Sequence, residues 1–519
     1  MKRILQGEHL SIVLLIAVNM AFGIVTLTYH GESWDEARLY EYGQQSLSAY
    51  RSLLNPAIPV DFGDDDLRYY GPAYFMGMSL IVRGLHVIFP NVLEIDLWHI
   101  GNFACLQLGF LFFYLLLRRF FNSLSSITTT ALLASQPILW GHAFINPKDI
   151  PFMAFFTASV YFGLKMLDHF QSRNFEFKTL LLNPWFYASV ISLGLTISIR
   201  ILGFAAAGIV LLYLALVNVN KALRLSYAYM GSALVVSFLT WPYLWPSPIS
   251  NFIKGIYAML KFQWIGQVLF NGAYYSSNQL PRTYVPQLLA MQLTEAALLL
   301  FVVGVGLIFW RQFREKHKSI FILFGIWFVV PILYVLISGM NLYDNTRQLL
   351  FIFPGMFLAT AIVLDTVLNL VRPVWIKAII LIFVLLPGVA GMAKYHPYEY
   401  TYYNFLTTAR LPIFRNFETD YWATSFKETT QYLNENAPQD SLVIAWGPAH
   451  LIRQYAREDL QVKSFDELTD TGYASQPYYL VLTTRFEMDL KFFPEIEPVY
   501  SVRQNDSVLA VVRYITPQK

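Results

Sequence analysis

The sequence predicts a mainly α-helical, polytopic membrane protein of about eleven transmembrane helices, with helices along the outer interface and a small C-terminal α/β soluble domain. Three observations carry this. The 519 residues are 56% hydrophobic and only 14% charged, at a mean hydropathy of +0.44, where soluble chains run about a quarter charged. Apolar runs approaching the roughly 20 residues a helix needs to cross a bilayer recur from residue 10 to residue 393. Past residue 394 they give way to short strand-like and amphipathic stretches.

The first run, ending at Tyr29, follows a basic start (Lys2, Arg3) like that of a signal peptide. It is too long for one and lacks a small-residue cleavage site, so it reads as an uncleaved span over 10–29. Ten more runs follow at 98–117, 124–141, 151–167, 185–199, 201–218, 226–245, 293–310, 319–338, 348–370 and 374–393. Basic clusters fall in alternate connections: Lys2/Arg3, Arg118/Arg119, Lys165/Arg173/Lys178, Lys221/Arg224, Arg311/Arg314/Lys316/Lys318 and Arg372/Lys377. The positive-inside rule puts all six on the cytoplasmic side. The N-terminus is then cytoplasmic, and the segments 30–97, 142–150, 246–292 and 339–347 face outward with the C-terminal domain, as in a multi-pass protein of the cell inner (plasma) membrane.

The first outer loop, 30–97, contains GPAYFMGMSLIVRGLHVIF, with Arg83 and His86 in its middle, which suits a helix lying along the interface. The second large outer loop, 246–292, suits an interfacial helix or a mobile loop. These loops belong to a transmembrane module, 1–393. In the outer domain, 394–519, SLVIAW, PYYLVLTT, EPVYSV and SVLAVVRYI read as strands, and YWATSFKETTQYLNENAP and PAHLIRQYARE as helices.

Composition also excludes. A net charge of +3, with basic residues scattered between apolar runs, argues against a nucleic-acid partner. The single cysteine, Cys105, rules out an intramolecular disulfide and a thiolate metal cluster. No matching halves of the transporter kind are visible. Aromatics at 17% suit interfacial belts and surfaces that stack on sugar rings.

The candidate site residues gather on the outward side. Ser33-Trp34-Asp35-Glu36 fits a capping box, in which Ser33 caps a helix and Glu36 reaches back to the cap's N–H. Asp35 is not needed for the cap and is placed to take a proton from an incoming hydroxyl, with Arg38 one turn on to orient it. Asp149 opens the fourth span, either as an N-cap ahead of Pro151 or as a second site acid; Lys148 beside it suits a phosphate. Arg200 sits in the turn between the fifth and sixth spans, where a charge is expensive and by default functional. Tyr343, Asp344 and Arg347 precede the tenth span. The aromatics of KYHPYEYTYYNFL (394–406) and FETDYWATSFKE (417–428) either pack the outer domain onto the membrane or line an acceptor groove. Asp64, Asp65 and Asp66 form a solvated acidic loop or hold a divalent cation; no spacing compels a metal.

WDEARLY after the first span, NPKDIPF opening the fourth, SIRILG at the fifth–sixth turn and YDNTRQLLFIFPG together resemble a family: the GT-C glycosyltransferases, specifically bacterial members of the protein O-mannosyltransferase and aminoarabinose transferase superfamily, whose sugars arrive on a phospholipid carrier. The resemblance covers most of the chain, and HPYEYTYYN with FETDYW is similar to a subgroup with an outer C-terminal domain. It implies transfer of a sugar from a polyprenyl-phosphate donor to an acceptor on the outer face, with inversion and without a required cofactor. It implies Asp35 as base, with Glu36 and Asp149 as further acids of the catalytic group, Asp149 orienting the acceptor or the site, and Arg200 and Arg347 on the phosphate, with Tyr343 near the acceptor. A lysine-proline-proline motif of some relatives is here Tyr70-Gly71-Pro72, so that lysine's role is lost or passes to Arg68 or Lys148. The acceptor, whether lipid, glycan or protein, is not legible. The competing readings are a flippase of a lipid-linked sugar and a non-catalytic partner in polysaccharide assembly.

Overall fold

The computed structural model describes residues 9–58, 60, 62, 66–171, 180, 182–216, 218–262, 264–467 and 476–516. Lys2, Arg3, Asp64, Asp65, Arg173 and Lys178 lie outside the described residues. All the expected spans are helical, and seven helices among the described residues are long and apolar enough to cross a membrane: Leu10–Tyr29, Glu94–Leu117, Asp149–His169, Val219–Leu239, Lys318–Ser338, Arg347–Leu370 and Val374–Tyr395. The others are shorter apolar helices: Ser123–Ala134, Pro184–Ile197, Ile201–Ala215 and Glu295–Phe309.

Seven α-helices among the described residues come from the first third of the chain. They are α1 (Leu10–Thr26), α2 (Glu36–Leu54), α3 (Ala73–Ile88), α4 (Glu94–Leu117), α5 (Ser123–Ala134), α6 (Pro137–Ile145) and α7 (Asp149–Gln171). The expected span 124–141 is two helices, α5 and α6. Pro137 forces the preceding Gln136 into an extended conformation (ψ 116°). The Gln136 side chain bridges the break: its amide donates to the Leu132 carbonyl at 2.7 Å and its oxygen accepts the Thr294 N–H at 3.1 Å. Every residue of α6 is buried, and a Cβ on Gly141 would sit 2.1 Å from the Tyr400 nitrogen. Only glycine lets the outer layer approach α6 so closely.

α3 is the expected outer-loop helix, with Phe75, Met78 and Val82 buried and Leu80, Val87 and Ile88 exposed. The second large loop is more ordered than expected. Helix Pro248–Lys261 is followed by a hairpin, β1 (Gln267–Phe270) and β2 (Ala273–Ser276), and by helix Tyr284–Gln292. The hairpin turns on Asn271-Gly272, both at positive φ (52° and 75°), the conformation that tight hairpin turns require.

The C-terminal domain holds β3 (Leu442–Trp446), β4 (Gln461–Ser464), β5 (Tyr478–Thr483), β6 (Tyr500–Gln504) and β7 (Ser507–Ile515) in the order β4-β3-β5-β7-β6. β3 pairs in parallel with β4 and β5, and β7 is antiparallel to β5 and β6. The four expected strands are present; β4 was not legible, being a four-residue edge strand with alternate exposure. Helix Phe426–Asn436 matches the expected helix, while PAHLIRQYARE yields only His450–Arg453. Tyr398, Tyr400, Tyr402 and Tyr403 are all buried, so the HPYEYTYYN tyrosines serve packing.

Candidate active site

The first helix ends at Tyr29, and the chain turns through Gly31–Trp34 into α2, so that Asp35 stands at the helix N-terminus, where the dipole favours an acid. It faces a cavity of about 590 Å³ bounded by the start of α2, the loop before Arg347 and the C-terminal domain. Among the described residues its walls carry four cations (Arg38, Lys148, Arg347, Arg485) and three acids (Asp35, Asp66, Asp344). The Asp35 side chain keeps 39% of its surface open and lies 3.4 Å from Lys148 Nζ. The enclosing walls push its pKa up, but Lys148, Arg347 and Arg38 outweigh them and hold it below the usual aspartate value. Asp35 is therefore ionised at neutral pH.

Glu36, by contrast, does not reach the cavity. It is fully buried, accepting the Ser33 N–H at 2.6 Å and the Tyr40 hydroxyl, with His99 Nε2 at 3.1 Å. The backward half of the capping box thus forms. The forward half does not: the Ser33 hydroxyl donates to the Ile145 carbonyl at 2.9 Å, tying α2 to α6. A carboxylate spent on three partners behind the wall has no free edge for a substrate, which removes Glu36 from the reacting group.

Behind the cavity Asp149 is a charge hub. It is 2% exposed, with Arg200 Nη2 at 2.5 Å on one oxygen and Arg347 Nη1 at 3.4 Å on the other. Its N-cap role falls instead to Asn146, whose side-chain oxygen accepts the Asp149 N–H at 2.9 Å while its amide donates to the carboxylate at 3.0 Å. Arg200 is spent on Asp149 and lies beside Tyr70 and Phe152, outside the cavity wall. Gly71 permits this corner, since a Cβ there would stand 2.1 Å from the Ser198 carbonyl oxygen. Tyr70 is left on the wall, with Lys148 over its ring. Arg68 stacks on its neighbour Tyr69 and does not line the cavity.

The charge chain continues through Asp344. Arg347 binds one Asp344 oxygen through Nε and Nη2 (3.1 and 2.9 Å), and Arg485 binds the other at 2.5 Å. Asp344 and Asn345 both adopt positive φ (57° and 59°), a region that Asp and Asn tolerate better than most side chains, and this turns the carboxylate between the two arginines. Arg485 comes from the C-terminal domain, at the carboxyl end of β5, and also donates to the Tyr421 carbonyl. Glu418, 3.9 Å from Arg485 Nε, is pushed up to about 7 mainly by burial. The guanidiniums are flanked by rings: Arg347 lies 4.8 Å from the centre of Tyr343 and 4.9 Å from that of Trp422, and Trp264 stacks on Tyr343 at 4.7 Å.

The cavity thus gathers Asp35, Arg38, Tyr70, Lys148, Tyr343 and Arg347 from the expected set, and leaves out Glu36, Arg68, Asp149 and Arg200. Sequence reasoning missed Arg485 and Trp264; Trp422 appeared only within a motif. A hint for Arg485 existed, because the carboxyl ends of parallel strands are where such sheets commonly present functional groups.

No family model matches the sequence, and no curated protein is significantly similar to it. Solved structures do match. The apo crystal structure of ArnT from Cupriavidus metallidurans superposes at TM-score 0.52 and 14% identity, covering 98% of this chain and 99% of ArnT. This chain shares the ArnT fold. ArnT bound to undecaprenyl phosphate matches over the same shares at TM-score 0.51 and 15% identity. The archaeal oligosaccharyltransferase AglB from Archaeoglobus fulgidus, in complex with an inhibitory peptide and a dolichol-phosphate, gives TM-score 0.53 and 12% identity over 94% of this chain and 71% of AglB. Both are GT-C glycosyltransferases, so the architecture expected from the motifs is the one observed.

Proposed function

We propose that the protein is a membrane glycosyltransferase that moves a sugar from a polyprenyl-phosphate donor to an acceptor on the outer face of the membrane, with inversion and with Asp35 as base. One observation carries the reading: an ionised carboxylate stands open to a large cavity among Lys148, Arg38 and Arg347. A glycosyl polyprenyl phosphate is a phosphodiester with one negative charge, and the described wall carries one cation more than it has acids. The lipids in the ArnT and AglB complexes support the same donor class.

In this reading the acceptor hydroxyl or amine gives its proton to Asp35 as its oxygen or nitrogen attacks the anomeric carbon. The bond from that carbon to the phosphate oxygen breaks, and the phosphate leaves with a second negative charge, which Lys148, Arg38 and Arg347 stabilise. Asp149 and Asp344 hold Arg347 from either side, and Arg200 holds Asp149; these groups position the clamp and do not touch the phosphate. The Trp264–Tyr343 stack and Trp422 offer flat faces for a sugar ring.

The test is Asp35→Asn in proteoliposomes supplied with a panel of glycosyl polyprenyl phosphates. Transfer should fall at least about 100-fold, the lower range for a positioned general base, while donor binding stays within a few-fold. Substantial residual turnover would remove Asp35 from the base role. Labelled lipid collecting on the opposite leaflet with no covalent product would make the protein a flippase.

A further inference from the structure

We infer that His30, His396 and Glu399 form a divalent-metal site, of the zinc class, that fastens the outer layer to the end of the first helix. His30 is the residue after Tyr29, and His396 and Glu399 follow directly on helix Val374–Tyr395. A ligand atom from each lies within 4.8 Å of the other two. His396 Nδ1 is 2.8 Å from Glu399 Oε1, and His30 Nδ1 is 4.0 Å from Glu399 Oε2. His30 and Glu399 are each 1% exposed.

The pairing seen here is incomplete. Nε2 of both histidines and Oε2 of Glu399 are buried without a hydrogen-bond partner. Leaving such atoms unpaired costs about 1–3 kcal/mol each and calls for an explanation. The three residues satisfy one another only in part, since one carboxylate oxygen serves His396 and the other faces His30 at beyond bonding distance. A cation between the two Nδ1 atoms and the carboxylate would take up the unpaired Oε2 of Glu399; the two Nε2 atoms lie on the far side of their rings and are not reached by it.

The donor chemistry is specific. Two imidazoles and one carboxylate make a borderline-soft N₂O set that suits zinc, with a fourth place for water. Two ligand bonds of about 2.1 Å at a tetrahedral angle set ligand atoms about 3.4 Å apart. The widest separation, up to 4.8 Å, must therefore close by about 1.4 Å and the 2.8 Å His396–Glu399 contact open by about 0.6 Å, within the reach of side-chain rotation. His396 remains 25% exposed, which gives the ion a path in and a place for the water. His30 is already anchored, stacked on Phe144 at 3.9 Å. Lys427 donates to the His30 carbonyl at 3.0 Å; its charge opposes a second cation from the backbone side and is partly offset by Asp96. Held by the ion, the turn at His30 would fix the path of the chain into Asp35. The site does not depend on glycosyl transfer.

The experiment is metal analysis of the full-length protein in detergent after equilibration with Zn²⁺ and removal of excess, with Co²⁺ as spectroscopic probe. Wild type should retain about one equivalent and give the visible band of a four-coordinate Co²⁺ site. His30→Gln, His396→Ala and Glu399→Gln should each lower affinity by more than the 10–100-fold typical of losing a supporting residue. His396→Ala removes a partly exposed side chain, so it reports on binding even if the buried variants fail to fold. Less than half an equivalent on wild type, or stoichiometric binding unchanged in His396→Ala, overturns the inference.

Discussion

Arg200 offers a direct test of which cations hold the site and which touch the substrate. In the structure its guanidinium is spent on Asp149 at 2.5 Å, and the two side chains are 13% and 2% exposed. Removing one member of a buried pair strands the other charge, at about 3–5 kcal/mol. Asp149 would still keep Arg347 at 3.4 Å and the Asn146 amide at 3.0 Å, so Arg200→Met should fall at the low end, about 3 kcal/mol. Asp149→Asn should cost about the same, because it leaves two arginines facing each other. The double variant strands less charge than either single change and should cost little more than one of them. The coupling energy is then about 2 kcal/mol or more, within the range for contacting residues. The assay is equilibrium unfolding in mixed micelles for the four proteins of the cycle. Effects that add to within about 0.5 kcal/mol would refute the hub. A near-neutral Arg200→Met that loses only donor affinity would put Arg200 back on the phosphate.

Two further outcomes follow from the same charges. Lys148 attracts Asp35 across 3.4 Å, worth about 1 kcal/mol in water and about 5 at an effective dielectric of 20. With 39% of the Asp35 side chain open to solvent, screening favours the low end, about 1–2 kcal/mol. The acid limb of kcat/KM should therefore lie below the ordinary carboxylate range in wild type and rise in Lys148→Met; an unmoved limb would mean that another group sets it. Glu32 titrates in the opposite sense. Burial, and then the Glu36 charge, push it up to about 8. A raised folded-state pKa gives stability that is full below the unfolded value and lost as pH rises through about 8. Glu32→Gln should thus melt like wild type near pH 4 and higher than wild type at about pH 9, by a few kcal/mol at about 1.4 per unit. Glu418, raised to about 7, leaves a smaller loss of the same sign in that variant.

What the sequence made legible was what a short window determines. Apolar runs and their lengths located the helices, and the Asp35 and Arg347 motifs lie within such windows. The Asn271-Gly272 turn was equally local and should have marked the hairpin. Other features depend on distant partners. Nothing near Glu36 says that Tyr40 and His99 will enclose it, and nothing near Arg200 says that Asp149 will hold it at 2.5 Å. Arg485 reaches Asp344 from 141 positions away, and His30 meets Glu399 across most of the chain. The break at Pro137 went unread within the expected span 124–141, and the Gln136–Thr294 bridge that makes it tolerable is a contact across 158 positions.

The central claim is that this cavity holds a polyprenyl-phosphate donor beside Asp35. Mass spectrometry of lipids that co-purify with the protein from native membranes tests it most directly, comparing wild type, Asp35→Asn and Lys148→Met. The account predicts polyprenyl phosphate or its glycosyl form on wild type, retained in Asp35→Asn and depleted in Lys148→Met, with the glycosyl form revealing the sugar. No isoprenoid lipid above the level carried by an unrelated membrane protein would contradict it.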